Sequence, residues 1–598
     1  MGSLRTVWVY FIQLAVVGCG FSAAWAQAAP PPVNPDIYIP TNSGDPPPEL
    51  IPPEELSLPE SPAESPALPA PELLVPAPSP LDRVVPARRG GTVIPEPTFY
   101  VESFQLIGST VFTDADFAAV FAEYRDREIT FSQLSNIAAA ITQRYIDQGY
   151  LTSNAFIPPQ TVEAGTVTIQ VTEGTLEDIV ITGTTHLEPA YILSRLRLVA
   201  SPPLNVKALL AALQKLQRDP VIETIAANLQ AGTEPGSSLL QVTVTEADPV
   251  EVTVNLDNQR SPNVGSFRRQ LAASDINLTG LGDRISLTYA RTDGSGSLDF
   301  RYAVPLSPYN TRLQLAAGIS ESHVIADEFE NFEINADGFY TELEVSQPLL
   351  SRLTQELRLE LALTHQQSQL SLGDGSSLLG LGLEESEILP LLSPGANANG
   401  TTRVTALRFA QTWSRRQPNQ VMAVRSQFSL GIGLFDASRS AAAPDSQFLA
   451  WRGQAQWVRR LAPDLLVFLR GSAQLASTDL LAIEQFSLGG QSTLRGYRQD
   501  ALLRDNGLLL SAEVRLPILR IETIDGRLQV TPFVDLGTAW NYRDRADTLV
   551  GVGLGLLWQQ GDNFSARLDW GLPLIDDDNS GDRLQDNGFY FSVRYTPF

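Results

Sequence analysis

The chain has 598 residues, a formal net charge of −25 at pH 7, one cysteine and three histidines. A length of this order suggests several domains, and the acidic balance argues against a nucleic-acid partner, which asks for a basic face. The single cysteine, Cys19, permits no disulfide framework or cysteine metal site, and His186, His323 and His365 lie too far apart to share a local metal or base motif.

Residues 1–26 read as an export signal. Arg5 supplies a positive end, Val7 to Gly18 form an apolar core too short to cross a membrane, and Ala24–Ala26 make a small-x-small cleavage site. The alternative is a lipoprotein box with Cys19 as the lipidated residue. No later run is long and apolar enough for a transmembrane helix. Residues 27–97 are proline-rich and acidic. Proline removes backbone donors and favours extended geometry, so this segment reads as a semi-stiff linker that supplies reach rather than recognition.

From Phe99 the texture changes. Alternation over 99–108 predicts a strand, and 114–124 a first helix. Thr130 and Gln133 form a capping box that opens a helix with Leu134, Ile137, Ile141 and Tyr145 on one face. Two strands follow, at 151–157 and 165–174. The order strand–helix–helix–strand–strand then recurs over 176–183, 188–198, 205–217, 221–230 and 238–247, with Val206, Leu209, Leu213 and Leu216 inward on the second helix. Two tandem units are therefore expected, 98–173 and 174–248.

Beyond Pro249 the period becomes two through to the terminus. Val250, Val252, Val254 and Leu256 share one face; Glu251, Thr253, Asn255 and Asp257 share the other. Alternation alone does not separate a soluble barrel from a membrane barrel, but the connections do. Long ones (323–338, 371–400, 434–446, 575–588) alternate with tight ones (279–283, 307–310, 418–420, 462–464, 559–562), the asymmetry of an outer-membrane barrel. With 484–499 taken as loop the strands number about sixteen, and an even count brings the last strand back beside the first.

Within 526–540, Leu528, Val530, Val534, Leu536 and Trp540 share the outer parity. Arg527, Gln529, Phe533, Asp535, Gly537 and Ala539 share the inner one, so Asp535 points into the lumen. In the next strand Gly551, Gly553 and Gly555 line the inner wall, where bare glycine lets another backbone lie close. The pattern leaves open whether Asp535 receives Arg495 or is a solvated lumen charge. Asp576 to Asp582 resembles the start of a calcium loop, but Asn587 stands where the closing glutamate belongs, which favours a solvated loop. No nucleotide-binding motif is present, and no cofactor or metal is expected.

The stretch Gly489 to Asp500, GGQSTLRGYRQD, resembles the V/L-R-G-Y/F loop motif of the two-partner secretion outer-membrane transporters, the TpsB or haemolysin secretion/activation family. That motif is shared with the wider superfamily of barrel assembly factors. Phe533 to Gly537, FVDLG, resembles the F-x-D-x-G strand motif that receives the loop arginine there. Asn277 to Asp283 resembles the family's early periplasmic turn, and Ile157 to Gly174 the end of its first POTRA domain. The resemblance covers residues 98–598. It implies a mostly β chain: a sixteen-stranded antiparallel transmembrane β-barrel over 249–598, with a pore loop at 478–506, preceded by two periplasmic α/β POTRA domains.

It further implies that Arg495 pairs with Asp535 inside the barrel. Gly496 would allow a tight bend and Tyr497 would pack against the wall, while Phe533, Asp535 and Gly537 would form the receiving strand. Phe598 resembles the terminal aromatic insertion signal, although Thr596 and Pro597 put it out of register with the alternation. The implied function is transport, not catalysis. One large secreted exoprotein would be captured through its N-terminal secretion domain by strand addition to the POTRA edges and passed through the barrel of an outer membrane. Outer-membrane lipid and periplasmic chaperones are the other expected partners. The alternatives are a barrel assembly factor, favoured less by a pair of POTRA units, and a passive pore.

Overall fold

The computed structural model describes residues 96–597 apart from 163, 328–331, 374–384, 440–443, 577–580 and 582, together with the pair Leu73–Leu74. The export signal with Cys19, most of the linker, the core of the calcium-like segment and Phe598 lie outside the described residues.

The pair Leu73–Leu74 forms strand β1. In the first unit, β2 (Thr98–Val101) pairs antiparallel with β4 (Arg127–Thr130), while β3 (Ser103–Ile107), β5 (Asn154–Phe156) and β6 (Thr166–Thr172) form a second sheet in the order β3-β6-β5. The single strand expected over 99–108 is thus two. Glu102 and Ser103 both donate backbone N–H to Gly165 O, at 2.8 and 3.2 Å, and the chain changes partners there. The expected first helix is a 3-10 turn, Asp114–Phe117, followed by one short α-helix, Ala118–Ala122. The helix Phe131–Asp147 starts where its capping box predicts. Thr130 Oγ1 accepts from Gln133 N at 3.3 Å and Gln133 Oε1 accepts from Thr130 N at 3.0 Å. Its apolar stripe, Leu134, Ile137, Ile141 and Tyr145, is buried against Val167, Ile169 and Val171 of β6.

The second unit repeats the plan with β7 (Thr175–Thr182), helices Pro189–Arg197 and Val206–Leu216, β8 (Ile222–Ala231) and β9 (Ser237–Glu246). Its sheet order is β1-β8-β9-β7, so the linker pair sits at the outer edge of β8. The unit is pinned to the barrel's turns. Glu188 N donates to Gly280 O at 2.8 Å, Arg195 Nη2 to Asn310 Oδ1 at 3.0 Å, and Arg218 Nη1 to Leu353 O. Tyr191 packs where a Cβ on Gly282 would come within 2.6 Å of its ring.

The barrel strands are β10 (Val250–Asp257), β11 (Arg268–Asp275), β12 (Arg284–Arg291), β13 (Ser295–Pro305), β14 (Arg312–His323), β15 (Ile334–Arg352), β16 (Gln355–Leu372), β17 (Thr401–Gln417), β18 (Gln420–Ile432), β19 (Leu449–Ala462) and β20 (Leu465–Ala476). A short hairpin, β21 (Phe486–Leu488) with β22 (Leu502–Arg504), belongs to the next connection. The wall resumes with β23 (Asn506–Ile521), β24 (Gly526–Trp540), β25 (Asp547–Gln560), β26 (Phe564–Pro573) and β27 (Phe589–Tyr595). These sixteen strands close as one antiparallel barrel.

Burial separates the two kinds of barrel. On β24, Val534 and Leu536 are 51% and 40% exposed, whereas Asp535 between them is 0% exposed. Apolar residues face out and polar ones face in, the reverse of a soluble sheet. The closing pair, β10 with β27, has four residue pairs, Val254↔Tyr595 to Asp257↔Ser592. Beyond it the Asn258 side chain continues the seam: Nδ2 donates to Phe589 O at 2.9 Å and Oδ1 accepts from Phe591 N at 2.8 Å. The connection expected over 371–400 contains a helix, Glu385–Leu392, which Pro390 masks in the sequence.

Candidate functional site: the loop inside the barrel

The connection between β20 and β23 folds into the lumen. The β21–β22 hairpin forms its stem, and residues 489–501 form its tip against the wall of β23 to β26. Strand register builds the receiving surface. Ser511, Asp535 and Gly551 stand in one cross-strand row; Glu513, Phe533, Gly553 and Gly571 stand in the next. Thr531, Gly555 and Asp569 make a third.

Arg495 enters this surface and is 2% exposed. Its Nε donates to Asp535 Oδ2 at 2.7 Å and its Nη2 to Asp535 Oδ1 at 2.9 Å, a bidentate fork. The backbone N of Arg495 also donates to Asp535 Oδ2, at 3.1 Å. The Nη1 donates to Glu513 Oε2 at 2.6 Å, and the guanidinium carbon lies 3.5 Å from the centre of the Phe533 ring. The network extends further. Ser511 Oγ donates to Asp535 Oδ1 at 2.6 Å, Arg567 reaches Glu513 at 2.6 Å and Asp569 at 2.7 Å, and Arg515 lies 3.2 Å from Glu513. Three arginines therefore face three carboxylates, so each buried charge has a partner.

The rest of the tip is held by shape. Gly496 has φ +103°, where an L side chain is strained, and a Cβ there would come within 3.1 Å of Leu572 backbone. The Tyr497 hydroxyl lies 2.8 Å from Ile575 O and 3.0 Å from Val550 O. Tyr590 OH accepts from Gly496 N at 2.9 Å and donates to Tyr497 O at 2.5 Å. Gly537 leaves room for Leu494 and Leu488, since a Cβ there would meet Leu494 at 2.5 Å.

Of the three glycines that sequence parity aligns, Gly551 alone faces the loop backbone, with Arg495 O 1.9 Å from a would-be Cβ. Gly553 instead clears the Phe533 ring, and Gly555 clears Asp569 and Thr531. The second backbone contact is at Gly571 on β26, where a Cβ would meet Gly496 N at 2.5 Å.

Sequence reasoning leaves out Ser511, Glu513, Arg567, Asp569, Gly571 and Tyr590 as parts of this site. Inward parity marks Arg567 and Asp569 as lumen charges; what brings them to Arg495 is the register between strands. A second ionic contact is also missing from it. Glu484, at the foot of the loop, accepts from Arg408 Nη2 at 2.6 Å and Nη1 at 3.2 Å. Arg408 belongs to β17, so the loop is tied to two separate parts of the wall. Gln491 Nε2 donates to Asp569 Oδ2 at 2.6 Å and Gln499 N to Gln585 Oε1 at 2.8 Å, and Gln585 Nε2 reaches Arg260 O at 2.9 Å. The tip is thereby linked to the closing seam. Among the described residues no group of three or more His, Cys, Asp or Glu is placed to hold a metal ion.

This architecture matches known proteins. Residues 99–174 match the ShlB-type POTRA domain, and residues 236–376 and 398–557 match the haemolysin secretion/activation protein family ShlB/FhaC/HecB. The outer membrane transporter CdiB of Escherichia coli O6:K15:H31 (strain 536 / UPEC) is 24% identical over 80% of this chain and 79% of its own. The heme/hemopexin transporter protein HuxB of Haemophilus influenzae (strain 86-028NP) is 22% identical over 81% of this chain and 84% of its own. The solved structure of CdiB from Escherichia coli superposes with a TM-score of 0.64 at 22% identity, covering 87% of this chain and 94% of that one. With two α/β units ahead of a sixteen-stranded barrel and the family match covering most of that barrel, the chain belongs to the haemolysin secretion/activation family ShlB/FhaC/HecB, the outer-membrane transporters of two-partner secretion.

Proposed function

We propose that the protein captures its unfolded exoprotein client on the two periplasmic units and passes it through the barrel, past a loop that the Arg495 network holds in the lumen. The carrying observation is that network. A buried, charge-balanced cluster ties a mobile kind of element, a surface connection, to the inner wall, which suits a plug that is seated firmly and released as a unit. The tie between the second unit and the barrel turns supports a handover at the periplasmic mouth. Arg495, Gly496 and Tyr497 act as the transport loop; Phe533, Asp535 and Gly537 act as its seat. The client is a large secreted protein recognised through its amino-terminal secretion domain. The leucine-rich outer face contacts outer-membrane lipid, and an unfolded client in the periplasm calls for a chaperone ahead of capture. The reaction is vectorial, with folding at the cell surface as its drive.

The test is co-expression with a large exoprotein of the same genome that carries an amino-terminal secretion domain. Exoprotein should reach the medium or the cell surface only when this protein is present. If instead other outer-membrane barrels fail to assemble on deletion while the exoprotein is unaffected, the chain is an assembly factor. Client-free conductance with no secretion defect on deletion would make it a passive pore.

A further inference from the structure

The outer edge of β8 carries a strand that the linker's composition does not predict. The linker residues Leu73 and Leu74 pair parallel with Ala227 and Asn228. Without them β8 would be an edge strand, with one row of its N–H and C=O groups unpaired and open to another chain. We infer that this edge is a strand-addition site, which the chain's own linker occupies in the absence of client and which an extended segment of the client takes over. The inference rests on the reading that the client binds the periplasmic units.

The sequence around the pair explains why the occupancy is reversible. It reads Pro71-Glu72-Leu73-Leu74-Val75-Pro76. Proline donates no backbone N–H, so the prolines bracket a ladder of four residues at most. That length seats a strand without locking it. The tether compensates. From Leu74 to Thr98 is 98 − 74 = 24 residues, a reach on the order of 80 Å if extended, and such a tether holds a weak strand at an effective concentration in the millimolar range. Weak pairing is then populated without being tight. A client strand without prolines can run along all ten residues of β8. Its affinity comes from main-chain bonds, which ask for extended backbone rather than one sequence, as suits an unfolded client.

The experiment uses the full-length protein in lipid nanodiscs, with the amino-terminal secretion domain of the exoprotein whose export depends on this protein as the probe. In the double variant L73P/L74P, amide exchange should speed up at the one of Ala227 and Asn228 whose N–H faces the linker, while the other, donating to β9, stays protected. Probe affinity should rise by the reciprocal of the free fraction, about tenfold if the linker holds the edge nine-tenths of the time. In L74C/N228C, closing the disulfide should lower probe affinity by about tenfold or more, with recovery on reduction. Unchanged exchange in the proline variant would overturn the docking. Changed exchange with unchanged probe affinity in both variants would overturn the competition. Failure of every form to bind the probe would refute client capture itself, which the exchange measurement keeps distinct from docking.

Discussion

Replacing Arg495 with alanine should release the pore loop while leaving the barrel inserted. The side chain is 2% exposed and forks onto Asp535, which is 0% exposed. Removing one partner of a buried pair costs about 3–5 kcal/mol. Two donors would remain on Asp535, Ser511 Oγ at 2.6 Å and the main-chain N of residue 495 at 3.1 Å, which places the cost near the lower end. About 3 kcal/mol shifts the seated-to-released equilibrium of the loop by roughly two orders of magnitude. Asp535→Ala should cost less, because Arg495 keeps Glu513 at 2.6 Å. The double variant should be little worse than Arg495→Ala, since both changes remove the same contact. The loop would be read by protease accessibility and single-channel conductance, and function by secreted exoprotein, each normalised to the amount of heat-modifiable barrel. If both single variants hold the loop and secrete normally, or if their defects multiply in the double variant, the pair is not the anchor.

Gly551→Val and Gly571→Val should unseat the tip by collision, since would-be Cβ atoms meet Arg495 O and Gly496 N at 1.9 and 2.5 Å; Gly471→Ala, with nothing nearer than 3.3 Å, is the control for protease accessibility. Glu484→Ala should free the foot of the loop from Arg408 and raise conductance, and the charge swap E484R/R408E should recover part of the seating. At the junction with the barrel, Arg195→Ala loses the contact with Asn310 and the stack on Tyr191 at 3.4 Å, a cost of about 1–2 kcal/mol that should appear as wider spin-label distances between the second unit and the barrel. In the periplasmic units, burial works to raise the Glu173 and Glu246 carboxyls, but hydrogen bonds win and hold both below the usual glutamate range: Thr110 leads for Glu173, and the Thr185, Leu187 and His186 amides for Glu246. Because the folded values are depressed, their stabilisation is present above the unfolded value and lost as pH falls through the folded one. Helical circular dichroism should therefore drop in acid below about pH 4, and Glu246→Gln should flatten that limb.

The barrel is legible because period two, long connections on one side and tight ones on the other are written along a single strand at a time. The Asp535 side chain is legible for the same reason: parity says which face it takes. Parity does not say which inward charges share a row. Glu513, Arg567 and Asp569 meet Arg495 through the stagger of β23, β24 and β26, a property of pairs of strands that no one strand records. Gly571 escapes notice likewise, while Gly553 and Gly555 carry the right parity but stand in rows where Phe533 and Asp569, not the loop, fill the space. Arg408 and Glu484 are 76 residues apart and meet inside the barrel. In the first unit, β2 and β4 are four residues each, too short for alternation to declare. The linker's prolines announce a chain without pairing, yet the gap between Pro71 and Pro76 is enough for a strand.

The barrel wall is of unequal height. β15, β16 and β17 have 19, 18 and 17 residues, while β10, β11 and β27 beside the seam have 8, 8 and 7. A tilted strand needs about 9–11 residues to cross the hydrocarbon layer. The tall side therefore rises above the membrane as a parapet, and the short side falls below full span. Lipid next to β10 and β27 is then expected to thin toward the shorter strands, at a cost of fractions of a kcal/mol per ångström of mismatch. Such a dent in the membrane would lie beside the line where the wall is joined by the fewest residue pairs.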